Sequence, residues 1–109
     1  MPTAYILNGC PFSFKLLLFL SEAQLLDRVK VETVEADSGR MDELKRKFES
    51  ATGKKGSFPT AQIEPGVYKS DSDALIAHFS EAHGIDASKL VALAFYKQSI
   101  LPQLEELHS

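Results

Sequence analysis

Cys10 is the one cysteine of this 109-residue chain, and it stands between the apolar segment Ala4-Tyr5-Ile6-Leu7 and Pro11, which opens a leucine-rich run. If the segment is a strand and the run a helix that starts at Pro11, the sulfur lies where unpaired N–H groups and the positive helix end favour a thiolate. Only the thiolate attacks, so this position suits nucleophilic sulfur chemistry. The competing reading is a small buried hydrophobe, because free cysteine is among the most buried residue types. With no second cysteine there is no internal disulfide and no zinc site of the usual spacing, so any disulfide involves another molecule. Further along, Asp71-Ser72-Asp73 gathers a hydroxyl and two carboxylates ahead of an apolar run, the composition of a helix N-cap.

The elements that must position these residues follow from periodicity and punctuation. Thr3 to Asn8 is β-rich and stops at Asn8-Gly9, which predicts a first strand. From Pro11 to Leu26, Phe12, Leu16, Phe19, Leu20 and Ala23 recur at three and four residue spacings, the mark of a heavily buried helix. Val31, Thr33 and Val34 favour extension over Lys30 to Ala36. Asp37-Ser38-Gly39 turns the chain, and Met41, Leu44, Lys45 and Phe48 give a charged second helix a narrow apolar stripe that Gly53 can end. Pro59 to Ile63 and Val67-Tyr68, joined at Pro65-Gly66, predict a hairpin. Ser70 or Ser72 can cap a third helix with Leu75, Ile76 and Phe79 on its buried face and Gly84 at its end. A last helix follows Asp86-Ala87-Ser88 and carries Leu90, Val91, Leu93, Ala94, Phe95, Ile100, Leu101, Leu104 and Leu107, with Pro102 set to kink or divide it. The order is βαβαββα plus a terminal helix, with strands one and two parallel and a closing antiparallel pair: a small mixed sheet covered by helices.

Composition narrows the function classes. Hydrophobic residues at 44% and charged residues at 25% fit one globular domain, and the longest apolar stretch, Leu16 to Leu20, is too short to span a bilayer. Met1-Pro2-Thr3 shows no basic region leading an apolar one, so a cytoplasmic protein is expected. A net charge of −3 argues against nucleic acid as a partner, and the Lys54-Lys55 pair reads first as solvated surface.

Three separated landmarks carry a resemblance: Gly9-Cys10-Pro11-Phe12-Ser13 at the first strand–helix junction, Phe58-Pro59-Thr60 before the hairpin, and Asp71-Ser72-Asp73-Ala74 opening the third helix. In this order the chain resembles the thioredoxin-like fold, and within it the glutaredoxins and the N-terminal domains of glutathione transferases, over Thr3 to His83. Gly9 to Ser13 is most similar to the cysteine-type transferases. The resemblance implies a glutathione-binding domain over residues 1–84 and a helical extension over 85–109 that packs on the domain or on a partner. It implies that Cys10 forms a mixed disulfide with glutathione. Ser13 stands where dithiol glutaredoxins have a resolving cysteine, so the chain is monothiol; a serine there is also acceptable helix surface. Pro59 matches a proline that follows a cis peptide bond and leaves the backbone of Phe58 open to pair with glutathione like a short added strand. Ser72 with Asp71 or Asp73 matches the site for the γ-glutamyl group, the acid preceding the serine in transferases and following it in glutaredoxins. Pro11, Phe12 and Lys15 border the thiol, Lys15 with a charge for the thiolate or a ligand carboxylate, although a lysine one turn into a helix is usually solvated. Lys55 or Lys54 can reach the glycyl carboxylate. His78 is given no role.

The implied activity is a glutathione-dependent monothiol–disulfide oxidoreductase that removes glutathione from mixed disulfides, with glutathione as cofactor and glutathionylated proteins as partners. A non-enzymatic glutathione-binding or interaction module, using the terminal helix for a partner or a homodimer, is the alternative. An iron–sulfur carrier ranks third, because its usual motif has glycine where Pro11 stands.

Overall fold

The structure, a computed structural model, describes residues 1–107, so His108 and Ser109 of the expected extension lie outside the described residues. The elements run β1 (Thr3–Leu7), α1 (Pro11–Glu22), β2 (Lys30–Val34), α2 (Gly39–Thr52), β3 (Thr60–Glu64), β4 (Val67–Ser70) and α3 (Ser72–His83). A 3-10 turn (Ala87–Lys89), α4 (Val91–Phe95), a π turn (Tyr96–Ile100) and α5 (Leu101–Leu107) complete the chain. The sheet order is β2-β1-β3-β4. β1 runs parallel to β2 and antiparallel to β3, which pairs antiparallel with β4 through a bulge between Gln62 and Glu64. This is the expected mixed α/β architecture, βαβαββα with an added C-terminal helical segment.

Alternation along β1 divides the interior in two, because successive side chains of a strand point to opposite faces. Ala4 and Ile6 pack with Leu16, Phe19 and Leu20 of α1 and Leu75, Ile76 and Phe79 of α3. Tyr5, on the other face, joins Val34 with Leu44 and Phe48 of α2. α2 starts with the Ser38 hydroxyl accepting from Met41 N–H and stops at Gly53, whose φ of 73° is the left-handed conformation a glycine allows. The chain then doubles back under α2. A Cβ on buried Gly56 would meet the Lys45 carbonyl oxygen at 2.6 Å, so only glycine permits this return, which delivers Phe58 to the mouth of β1.

Several local expectations are corrected by long-range partners. The first helix ends at Glu22 rather than Leu26, and Gln24 beyond it takes a positive φ. Its buried face includes Ser13 and Lys15, while Phe12, expected inside, is 40% exposed. α3 is capped by Asp71, whose carboxylate accepts from Ala74 N–H, and not by Ser70 or Ser72. The terminal helix is three pieces. Pro102 has no N–H for the carbonyl four residues back, and Leu101 N–H instead bonds the Tyr96 carbonyl, five residues back. Leu93, Tyr96 and Leu101 are buried, and the Glu22 carboxylate of α1 accepts from both Ala92 N–H and Leu93 N–H at 2.9 Å, capping α4 from another element. Val91 and Phe95 remain 78% and 62% exposed. Among the described residues no helix is long and apolar enough to cross a membrane.

Candidate functional site

The strand–helix junction sets the sulfur. Asn8 N–H bonds the Val34 carbonyl and Cys10 N–H the Leu7 carbonyl, so the chain leaves β1 in a tight turn through Gly9 and enters α1 with Cys10 as its N-cap. Cys10 Sγ accepts from Ser13 N–H at 3.5 Å and, as a thiol, faces the Phe58 carbonyl oxygen at 3.9 Å. Cys10 is half-buried, and its sulfur lies between a helix N-terminus and the segment before β3. The Phe58–Pro59 peptide is cis, the geometry the resemblance implied. The Phe58 ring packs edge-on to Phe48 at 5.6 Å.

Ser13 is 1% exposed, and its hydroxyl accepts from Leu7 N–H at 2.9 Å. It closes the end of β1 and is not the surface serine that helix position suggests. Lys15 is likewise inside: its ammonium lies 2.9 Å from Asp73 Oδ1 and 5.6 Å over the Phe12 ring. Burial of a lysine requires such a partner. The Lys15 hydrogen bond is the main reason the Asp73 carboxyl is held below its usual range, and the pair ties the first turn of α3 to α1. Asp71 carries φ 79° and ψ 120°, uncommon for a residue with a Cβ. Buried Ser72 follows it as the first residue of α3.

Beside the sulfur opens a cavity of about 560 Å³, apolar for the most part, lined by Cys10, Pro11 and Phe14 on one side and Tyr96, Ile100 and Leu104 on the other. Tyr96 was not among the residues the sequence singled out. Its hydroxyl donates to the Pro11 carbonyl at 2.5 Å, and its ring meets Phe14 edge-on at 5.0 Å. The only sequence signal was its three-residue spacing from Leu93, which places both on one helix face. The structure thus brings Cys10, Pro11 and Ser13 to the cavity and Phe58 to the sulfur. Pro59, Asp71, Ser72 and Asp73 lie outside the cavity. Lys54 lines a separate cleft with Tyr68 and Ser70, and Lys55 is exposed.

No family model and no curated protein matches the chain. Solved structures do. A possible glutathione S-transferase from Rhodopseudomonas palustris aligns at a TM-score of 0.60 and 22% identity, covering 98% of this chain and 56% of the other. A glutathione transferase homolog from Sulfitobacter, solved with bound glutathione, aligns at 0.56 and 18%, covering 91% and 49%. Glutathione transferase Omega 2S from Trametes versicolor aligns at 0.55 and 16%, covering 74% and 37%. The chain spans between about a third and just over half of these proteins. At such identities the likeness is one of architecture, and it establishes that this chain has the thioredoxin-like fold that these glutathione transferases share.

Proposed function

We propose that this chain is a glutathione-dependent monothiol oxidoreductase working through Cys10. The observation that carries the reading is the placement of the thiol: the sulfur of a half-buried cysteine at a helix N-terminus, 3.9 Å from the carbonyl oxygen of the residue that precedes a cis proline. Glutathione in the Sulfitobacter homolog supports glutathione as the ligand. In this reading the cysteinyl backbone of glutathione pairs with Phe58, and its γ-glutamyl group sits at buried Ser72 and the N-terminus of α3. Asp71 takes the α-amino group, because Asp73 is already committed to Lys15. Lys55 or Lys54 meets the glycyl carboxylate. Pro11 and Phe12 flank the thiol, and Ser13 fixes its turn without reacting.

The chemistry is two thiol–disulfide exchanges. The Cys10 thiolate attacks the glutathionyl sulfur of a mixed disulfide, forms the Cys10–glutathione disulfide and releases the partner as a thiolate. A second glutathione thiolate attacks that disulfide at the glutathionyl sulfur, giving oxidised glutathione and restoring the Cys10 thiolate. The test is turnover of a glutathionylated peptide with excess glutathione: ping-pong kinetics for the wild type and none for Cys10→Ser. A Cys10–glutathione adduct that forms without turnover would instead support a binding and interaction module, the reading that the exposed Val91 and Phe95 favour. No adduct at all would leave only the fold in common.

A further inference from the structure

The turn that leads into Cys10 carries a second reactive group. Asn8 is the one asparagine of the chain, and Gly9 follows it. Asparagine is a thermolabile residue, and a glycine after it favours ring closure, because without a Cβ the next backbone nitrogen can approach the side-chain amide carbon. Both residues are exposed. Asn8 N–H and Cys10 N–H are bonded to the Val34 and Leu7 carbonyls, but Gly9 N–H between them makes no hydrogen bond among the described residues. Nothing lies within 4 Å of where a Gly9 Cβ would stand, so the turn is open on that side. The Asn8 amide nitrogen donates to a Glu35 carboxylate oxygen at 2.9 Å, an exposed bond. Asn8 and Gly9 also border the cavity that Cys10 borders.

We propose that Asn8 is a site of spontaneous deamidation and that the negative charge it gains slows the reactions of Cys10. The Gly9 nitrogen gives up its proton to solvent and attacks the Asn8 amide carbon, and ammonia leaves, closing a succinimide. Water then opens the ring to aspartate or isoaspartate. One water is consumed and one ammonia released, with no oxidant or reductant. The new carboxylate stands against Glu35 where the amide donated to it, and it lies near the sulfur, where a like charge disfavours the thiolate. Isoaspartate further adds a methylene to the backbone between the two hydrogen bonds that shape the turn. The second half of the proposal rests on Cys10 being the reacting thiol, as in the function proposed above; the first half does not.

The experiment warms the full chain in mildly alkaline buffer and follows the tryptic peptide Met1–Lys15 by mass spectrometry, with the same synthetic peptide, its thiol blocked, as reference. Conversion of Asn8 in the folded chain is expected within about tenfold of the peptide rate, since an exposed turn opens at little cost. A chain that keeps its amide while the peptide converts would overturn the site. Alkylation by iodoacetamide, in which the Cys10 thiolate forms a thioether and iodide leaves, reads the consequence. At low salt Asn8→Asp should react about threefold or more slowly than the wild type, and about 1 M salt should remove most of the difference. An unchanged rate, or a deficit that salt does not touch, would overturn the effect of charge. Should Asn8→Asp fail to fold, deamidated wild type separated by anion exchange takes its place in the same assay. Asn8→Gln, carried through the same warming, should keep the Cys10 rate it had before, and an equal loss there would assign the slowing to another change. Inert Cys10 in fresh wild type would overturn the second half together with the glutathione chemistry, whereas the deamidation stands or falls on the peptide masses alone.

Discussion

The two faces of the sheet are built for different tasks. Against α1 and α3, the sheet buries a broad, leucine-rich apolar core of residues with almost no exposure, Leu16, Phe19, Leu20, Leu75 and Phe79 among them. Against α2, the cluster is small and aromatic: Phe48 stands within 5.6 Å of Tyr5, Phe58 and Tyr68, ring centre to ring centre. The first face carries stability in bulk, because apolar area removed from water sums over many contacts. The second is thin, yet its central ring holds the residue whose carbonyl faces the Cys10 sulfur. Bulk and aim are thus separated across a single four-stranded sheet. A residue's worth to the fold and its worth to the site should diverge accordingly.

The largest expected effect tests the bulk. Phe19→Ala empties a fully buried position in the α1/α3 core and should cost about 3 to 5 kcal/mol, a large share of the roughly 5 to 15 kcal/mol available to a domain. Denaturant midpoints measure it. The fraction that stays folded should show wild-type reactivity at Cys10. A variant that folds well and reacts slowly would mean that the core face aims the site after all.

Phe48→Leu reverses the balance. It fills most of the volume but forfeits three ring pairs worth about 0.5 to 1.5 kcal/mol each, so a loss of about 2 to 3 kcal/mol is expected. Because Phe58 loses its support, formation of the Cys10–glutathione adduct, followed by mass spectrometry, should slow about tenfold in protein that is still folded. Slowing no greater than in Phe19→Ala would erase the distinction between the faces.

What the sequence disclosed has the same division. The strands, helices and glycine stops were legible because each depends on neighbours within a few residues: Gly53 and Gly84 end helices where the periodicity breaks. The parallel β1–β2 pair and the closing hairpin followed from the order of the elements, whereas the antiparallel pairing of β1 with β3, which joins Thr3 to Gln62, left no local mark. The cis bond at Pro59 and the thiol at a helix start were legible through motif. The interior of the site was not. Ser13 and Lys15 read as helix surface because a local pattern cannot show a partner such as Leu7 N–H across the turn or Asp73, 58 residues away. Tyr96 and the Glu22 cap on α4 were equally silent, since each acts on a segment 70 or more residues distant.

Ser13 shows how such a hidden partner registers. Ser13→Ala leaves Leu7 N–H without its acceptor at the end of β1, which should cost about 1 to 2 kcal/mol, against near neutrality for a serine at the helix surface. Thermal unfolding distinguishes the two. Ser13→Cys should admit an internal disulfide with Cys10 only at the expense of that same hydrogen bond, so its reduced form should be less stable than the wild type. A Ser13→Ala variant as stable as the wild type would show that the hydroxyl contributes nothing to the turn.

The smallest effect belongs to the ion pair that joins α1 to α3. Lys15 holds the Asp73 carboxyl below its usual range, so the folded protein releases that proton more readily than the unfolded chain, where Asp titrates near about 3.9. A depressed folded value contributes stability that is complete above the unfolded value and is lost as pH falls through the folded one. The Asp73 side chain is 66% exposed, so solvent screens the pair, and about 1 kcal/mol or less is expected. Asp73→Asn should therefore be slightly less stable than the wild type at pH 7, and the difference should close as pH drops below about 4. Glu32, held low chiefly by its hydrogen bond to Arg40, titrates in the same acid region, but it is unchanged by the substitution and cancels when the two urea midpoints are subtracted at each pH. A difference that stays constant from pH 7 to pH 2.5 would mean that Lys15 gains nothing from the charge of Asp73. The clasp between the helix that carries the thiol and the helix that carries Ser72 would then be a matter of packing alone.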